Sequence, residues 1–171
     1  MSIAGPTLWV GLDGDVAVVR VCGRASFACG PDLKRVIAEL QARGWHKFVF
    51  DLSECSLMDS TFLGIMAGFG MRVEESQGTK AVLKNASSRI IDMLDNLGVA
   101  HLFDQTQGPV ETKCEPTQCG TLDKLNATRT SLEAHQTLMA INPANVSKFK
   151  DVTRFLADDI KKLTPPVVPE C

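Results

Sequence analysis

Apolar and polar residues along the first hundred positions fall into two alternating periods. Residues 7–21 read TLWVGLDGDVAVVRV, two apolar, β-branched runs on either side of Asp13-Gly14. An Asp-Gly pair between such runs is a hairpin signal, so the pattern predicts antiparallel strands over about 7–12 and 15–22. Leu33, Val36, Ile37 and Leu40 then recur at i, i+3, i+4 and i+7, one buried helical face. Pro31 suits the first helical position and Gly44 the C′ position, which predicts a helix over 31–43. Residues 47–52, KFVFDL, are short and nearly continuously apolar, as a central strand covered on at least one face would be. A helix is predicted from Ser60 to Gln77, ended by Gly78, and a strand over 80–84. The next helix has Asn85 or Ser87 as its cap, Ile90, Ile91, Leu94 and Leu97 as its buried face, and Gly98 as its terminator. A short strand near 102–104 closes the series.

Strands alternating with helices of this length make βαβ units. The expected fold is therefore α/β, with a mixed four- to five-stranded sheet and helices on one face. Around residues 106–121 the texture turns polar, with two prolines and two glycines, and reads as a linker. Beyond it, Leu122, Leu125, Leu132, Leu138 and Met139 mark one helix. Asn142-Pro143 punctuates, and Val146, Phe149, Val152, Leu156, Ile160 and Leu163 make a second amphipathic stripe. The organisation expected is a domain over 1–107, a linker over 108–121, a C-terminal helical hairpin over 122–163 and a Pro-rich tail over 164–171. The hairpin's stripes must bury against each other, against the main domain, or against a partner.

Composition narrows the function. Apolar residues make up 44% of 171, enough for a core, and the net charge is -2. That balance gives no electrostatic reason to expect nucleic acid or an anionic membrane. No apolar run reaches eighteen residues, and no basic and apolar leader opens the chain, so a cytoplasmic protein is expected. The six cysteines form no CxxC pair, so buried or incidental thiols are expected and no metal site. There is no GxSxG, GxGxxG or GxxxxGK[ST], and no cofactor or catalytic residue is assigned. The three histidines, His46, His101 and His135, lie far apart and read as surface or capping residues. Gly64 and Gly68 share a helical face and read as a close-packing site against the sheet or another helix.

The chemistry concentrates where a strand passes into a helix. Residues 48–70 read FVFDLSECSLMDSTFLGIMAGFG, with Asp59, Ser60 and Thr61 at the seam. By position alone, Asp59 or Ser60 is a helix cap, and a capping position is also an anion site. Asp51-Leu52-Ser53, Met58-Asp59-Ser60-Thr61 and Leu63-Gly64 together resemble the signature of the STAS domain of bacterial anti-sigma factor antagonists. GDVAVVRVCGR upstream and KAVLKNASSRIIDMLDNLGVAHLF downstream extend the resemblance over about 5–107. Phe62 stands where the family has glycine, and Ala25-Ser26 where many relatives carry an acidic residue.

The resemblance implies a protein-binding module. It would bind an anti-sigma factor that is a serine kinase, which phosphorylates Ser60, or secondarily Thr61, and so ends the interaction. A PP2C-type phosphatase would reset it. Asp59, Ser60, Thr61, Phe62 and Ser26 are the implied partner contacts, Phe62 either altering kinase access or filling a packing role. The alternative is a scaffold role, with the C-terminal hairpin as a homodimer surface.

Overall fold

The computed structural model describes residues 7–117, 120 and 123–166. Strands β1 (Thr7–Asp13) and β2 (Val16–Ala25) form the expected hairpin, with Gly14 at φ +59° in its turn. Helix α1 (Gly30–Ala42), strand β3 (Lys47–Asp51), strand β4 (Cys55–Met58) and helix α2 (Ser60–Gln77) follow. Then come β5 (Ala81–Lys84), α3 (Ser88–Asn96), β6 (Phe103–Thr106), β7 (Glu115–Pro116), α4 (Lys124–Ile141) and α5 (Val146–Leu163). The sheet order is β6-β5-β3-β2-β1-β7, with β4 paired to the end of β2. β2, β3, β5 and β6 are mutually parallel, while β1 and β7 are antiparallel to their neighbours.

Among the described residues the sheet thus has seven strands, more than the four or five expected. β4 adds a short parallel pairing, Arg24 opposite Leu57 and Ala25 opposite Met58, past an irregularity at Gly23. β7 comes from the stretch read as linker and pairs Trp9 with Pro116 and Val10 with Glu115 on the outer edge of β1. A two-residue edge strand has no periodicity to betray it.

Alternation along the strands divides the sheet into two faces. Ala17, Val19, Phe48, Phe50, Ala81 and Leu83 are buried beneath the helices. The ring of Phe69 on α2 meets Phe48 and Phe50 edge-on, at centroid distances of 4.8 and 5.7 Å. Val16, Val18, Val49 and Val82 look the other way, into an open cavity of about 650 Å³ under residues 109–113. α3 is capped by Ser87, whose Oγ accepts from the Ile90 amide at 3.3 Å. Asn85 instead takes a left-handed turn (φ +61°) and exchanges two hydrogen bonds with Gly108.

Every residue of α2 from Thr61 to Gly70 is buried. A helix apolar on all sides has to be enclosed on all sides. The sheet takes one side, and α1 and α4 pack on α2 from outside it. α5 packs on α4 and has no buried residue of its own. The two C-terminal helices are the expected hairpin, and its first helix lies against the main domain.

Candidate functional site

The seam is built by Asp59. Its backbone amide donates to the Ala25 carbonyl at 2.9 Å, continuing the β2–β4 pairing by one step. Its side chain then serves two elements. Oδ1 accepts from the Phe62 amide at 2.9 Å and caps α2, and Oδ2 accepts from the Phe27 amide at 2.7 Å. One carboxylate therefore fixes both the start of α2 and the 26–29 turn. Ser60 follows as the first residue of α2, at the positive end of the helix dipole. Ser26 begins the neighbouring turn, its carbonyl accepting from Cys29. Phe27 beside it is 51% exposed.

The Ser60 hydroxyl is only partly exposed, because α4 lies over it. Ser60 Oγ is 2.9 Å from Nε2 of His135. His135 Nδ1 lies 2.7 Å from the Ser131 carbonyl, which can only accept, so Nδ1 carries the proton. In the neutral ring Nε2 is then the acceptor and Ser60 the donor. One residue on, Thr61 Oγ1 and Ser131 Oγ are 2.8 Å apart. Thr61 and His135 are 3% and 4% exposed. The His135 ring is closed from outside by Phe149 of α5, edge-on at 4.9 Å.

Two glycines permit this approach. A Cβ on Gly64 would lie 2.6 Å from the Ala134 carbonyl oxygen, and one on Gly68 would lie 3.2 Å from Thr137 Cγ2. The close-packing partner of that face is α4. An ion pair of Lys34 with Glu133 (2.7 Å) joins α1 to α4 at the exposed rim.

Of the residues read as partner contacts, Asp59, Ser60 and Ser26 meet at the seam. Thr61 is under Ser131. Phe62 is fully buried and fills the packing role, so in this arrangement its ring offers a partner no surface. His135 corrects the sequence reading. It is neither a surface nor a capping residue, but a buried ring bonded to Ser60 across 75 positions. A serine–histidine pair is also a nucleophile–base geometry. Here α4 closes it over, and two cavities along α4, of about 90 and 220 Å³, are lined by other residues.

Below the seam, Asp51 is 1% exposed and pairs with Arg20, Nε to Oδ2 at 2.8 Å. Burial alone would raise its pKa. Hydrogen bonds from Arg20 and from Ser53, with the charge of Arg20, outweigh burial and hold it below the usual aspartate value. Cys29, the last residue of the 26–29 turn, is pushed up to about 11 by burial. Cys22 is pushed up to about 12 by burial and by its contact with Glu54. Cys119 and Cys171 lie outside the described residues, as does Leu122. Among the described residues no helix is long and apolar enough to cross a membrane.

A strand ending at Asp51 and followed by Leu-Ser, a short pairing segment and an Asp-capped serine opening a buried helix sit on a mixed sheet with one covered face. A model of the STAS domain matches residues 11–115. The chain belongs to the STAS domain family. A crystal structure of a Thermotoga maritima protein assigned to the anti-sigma factor antagonists is 17% identical, covering 58% of this chain and 85% of that one at a TM-score of 0.53. The anti-sigma factor antagonist SpoIIAA in its unphosphorylated form is 17% identical over 61% of this chain and 90% of its own, at 0.49. The Bacillus cell fate determinant SpoIIAA in the phosphorylated form is 18% identical over 61% and 92%, also at 0.49. The likeness to the Thermotoga protein is one of fold. No curated protein matches the chain. Helices α4 and α5 lie beyond the stretch that the STAS model matches.

Proposed function

We propose that this STAS protein is a phosphorylation-controlled binding module, an anti-sigma factor antagonist that binds an anti-sigma serine kinase while Ser60 is unmodified. The observation that carries this reading is the position of Ser60, first in α2 directly after an aspartate cap. A phosphate there meets the positive end of the helix dipole, worth about 0.3–1 kcal/mol at an exposed site. It also adds close to two negative charges beside Asp59, which repels any interface formed around the seam. The fold need not change for the interaction to end. Membership of the STAS family supports the reading, and so does the run Met58-Asp59-Ser60-Thr61. Asp59, Ser60, Ser26 and the exposed Phe27 are the contact set, with a PP2C-type phosphatase as the resetting enzyme. Thr61, buried under Ser131, is the second acceptor. The site of action is the cytoplasm, where the kinase and its ATP are found.

The test is phosphopeptide mapping of the chain isolated from its host and after incubation with the cognate kinase and ATP. Modification at Ser60, with kinase binding lost in Ser60→Asp, is the expected result. An unmodified Ser60 and Thr61, together with binding indifferent to Ser60→Asp, refutes it.

A scaffold role has one observation in its favour. The outer face of α5 exposes Val152 (39%) and Phe155 (62%). If this face joins two copies, light scattering gives a dimer that Phe155→Asp converts to monomer. A monomer in both chains removes this reading.

A further inference from the structure

We infer that the α4–α5 hairpin is an intramolecular lid on the Ser60 face, held by a latch at its turn. The inference rests on the reading of Ser60 as the regulated residue and adds what controls access to it. The hairpin occupies the place that a partner or a kinase must reach. Ser60 Oγ is bonded to His135, Thr61 to Ser131, and the backbones of α2 and α4 touch at Gly64 and Ala134. A phosphoryl group has no room between helices packed this closely, so the lid must lift before Ser60 is modified, and a phosphate then keeps it from closing.

The face that α4 buries is that of a detachable element. Three of its six buried residues, Thr130, Ser131 and His135, are polar, and two others are alanines. Polar groups of this kind regain water on separation, so this part of the contact resembles an interdomain interface, while Ala134 and Leu138 join the core of the main domain. α5 adds no buried residue. Among the described residues, the chain leading into α4 is tied down by the two-residue β7, by Thr117 on the Leu8 carbonyl and by the Gly120 amide on Asp32.

The latch lies at the other end of the hairpin. Asn145 is fully buried, and its Nδ2 donates to the carbonyls of Leu97 and Leu138, both at 2.9 Å. Asn142 Nδ2 reaches the same Leu97 carbonyl at 3.4 Å, and Lys148 Nζ donates to the Asn96 carbonyl at 2.7 Å. The carbonyls of Asn96 and Leu97 end α3, where a helix leaves acceptors unpaired and its dipole favours a cation, while the bond to Leu138 stays within the hairpin. The latch shares no residue with the Ser60 seam, so it can be weakened without touching the phosphoacceptor.

The test places a thiol at the seam as Ser60→Cys in the full chain and follows its alkylation by iodoacetamide, resolved by peptide mass spectrometry. Adding Asn145→Ala is expected to speed labelling of that thiol by up to roughly tenfold, the effect of losing the one buried hydrogen bond, to Leu97, that joins the hairpin to α3. Equal rates with and without the latch overturn the lid. Hydrogen exchange of the unsubstituted chain guards against a misfolded variant. Segments 57–64 and 124–163 are expected to gain deuterium together and before β2 and β3, and exchange only in step with the sheet also overturns the lid. Phosphorylation is scored separately. A latch-dependent thiol in a chain that no serine kinase modifies upholds the lid and refutes the switch, whereas a phosphorylated Ser60 with a latch-independent thiol does the reverse.

Discussion

Replacing Gly64 by alanine puts a single methyl group between α2 and α4. A Cβ there would lie 2.6 Å from the Ala134 carbonyl oxygen and 2.9 Å from its Cβ, where ordinary contact begins near 3.4 Å. The obstacle is backbone, so the two helices have to part by about 0.8 Å. The Ser60–His135 and Thr61–Ser131 hydrogen bonds, 2.9 and 2.8 Å long, span the same gap and are carried out of range. At about 0.5–1.5 kcal/mol each, their loss weakens hairpin docking by about 1–3 kcal/mol. Alanine for glycine inside a helix works the other way, by up to ~1 kcal/mol. That gain belongs to α2 whether the hairpin is docked or not.

The two effects therefore separate by region. In native-state hydrogen exchange followed by mass spectrometry, segment 124–141 is expected to exchange about 5- to 150-fold faster in Gly64→Ala, at tenfold per 1.4 kcal/mol. Protection of β2 and β3 should change by less than ~1 kcal/mol. Unchanged or increased protection of α4 refutes the packing argument. Equal loss in α4 and in the sheet refutes the claim that the hairpin is a separable unit.

Asp59→Ala removes the cap of α2 and the anchor of the Phe27 amide, and is expected to lower stability by about 1–2 kcal/mol, read as a shift in the urea midpoint. Arg20→Met leaves Asp51 buried without its cation, at a cost of about 3 kcal/mol or more in the same assay. The pH dependence has a fixed sign, because the folded pKa of Asp51 is lowered. The pair's contribution is complete above the ordinary aspartate value of 3.8 and is lost as pH falls through the lower folded value, so acid unfolding should begin at higher pH in Arg20→Met. Cys22 and Cys29, raised to about 12 and 11, are expected to stay unalkylated by iodoacetamide at neutral pH in the folded chain, and rapid modification of either argues against its burial.

The elements with a period were legible in the sequence. The β1–β2 hairpin announced itself through Asp13-Gly14, and α2 was bounded by its Asp59 cap and by Gly78, which takes a left-handed turn at φ +67°. β4 and β7 were not, because four and two residues are too few to show alternation. Asn85 and Ser87 were equal candidates to cap α3. Only the long-range contact with Gly108 separates them. At the site, Asp59 and Ser60 stood out because capping is local chemistry. His135 did not, because its role depends on how α4 docks, 75 positions away. One signal was present: TFLGIMAGFG has no polar face, and a helix of that kind between a sheet and open water would leave apolar surface exposed. Some further element had to cover α2, and the hairpin was the only unassigned amphipathic segment.

With the lid included, the seam becomes a surface for which three occupants compete. In that scheme Ser60 Oγ would face His135, a partner or a phosphoryl group: the close backbone contact at Gly64 excludes the latter two while α4 is docked, and the phosphate's charge would exclude the partner. A partner then binds only the open fraction, and its apparent affinity falls by that fraction. If docking is worth about 2–3 kcal/mol, the closed lid weakens apparent binding by about 30- to 150-fold. Phosphorylation would be slowed by the same factor when opening is in rapid equilibrium, since the kinase needs the same open state. The hairpin would thus set the threshold for partner binding and for its termination together, and latch residues such as Asn145 would tune both while leaving the chemistry at Ser60 unchanged.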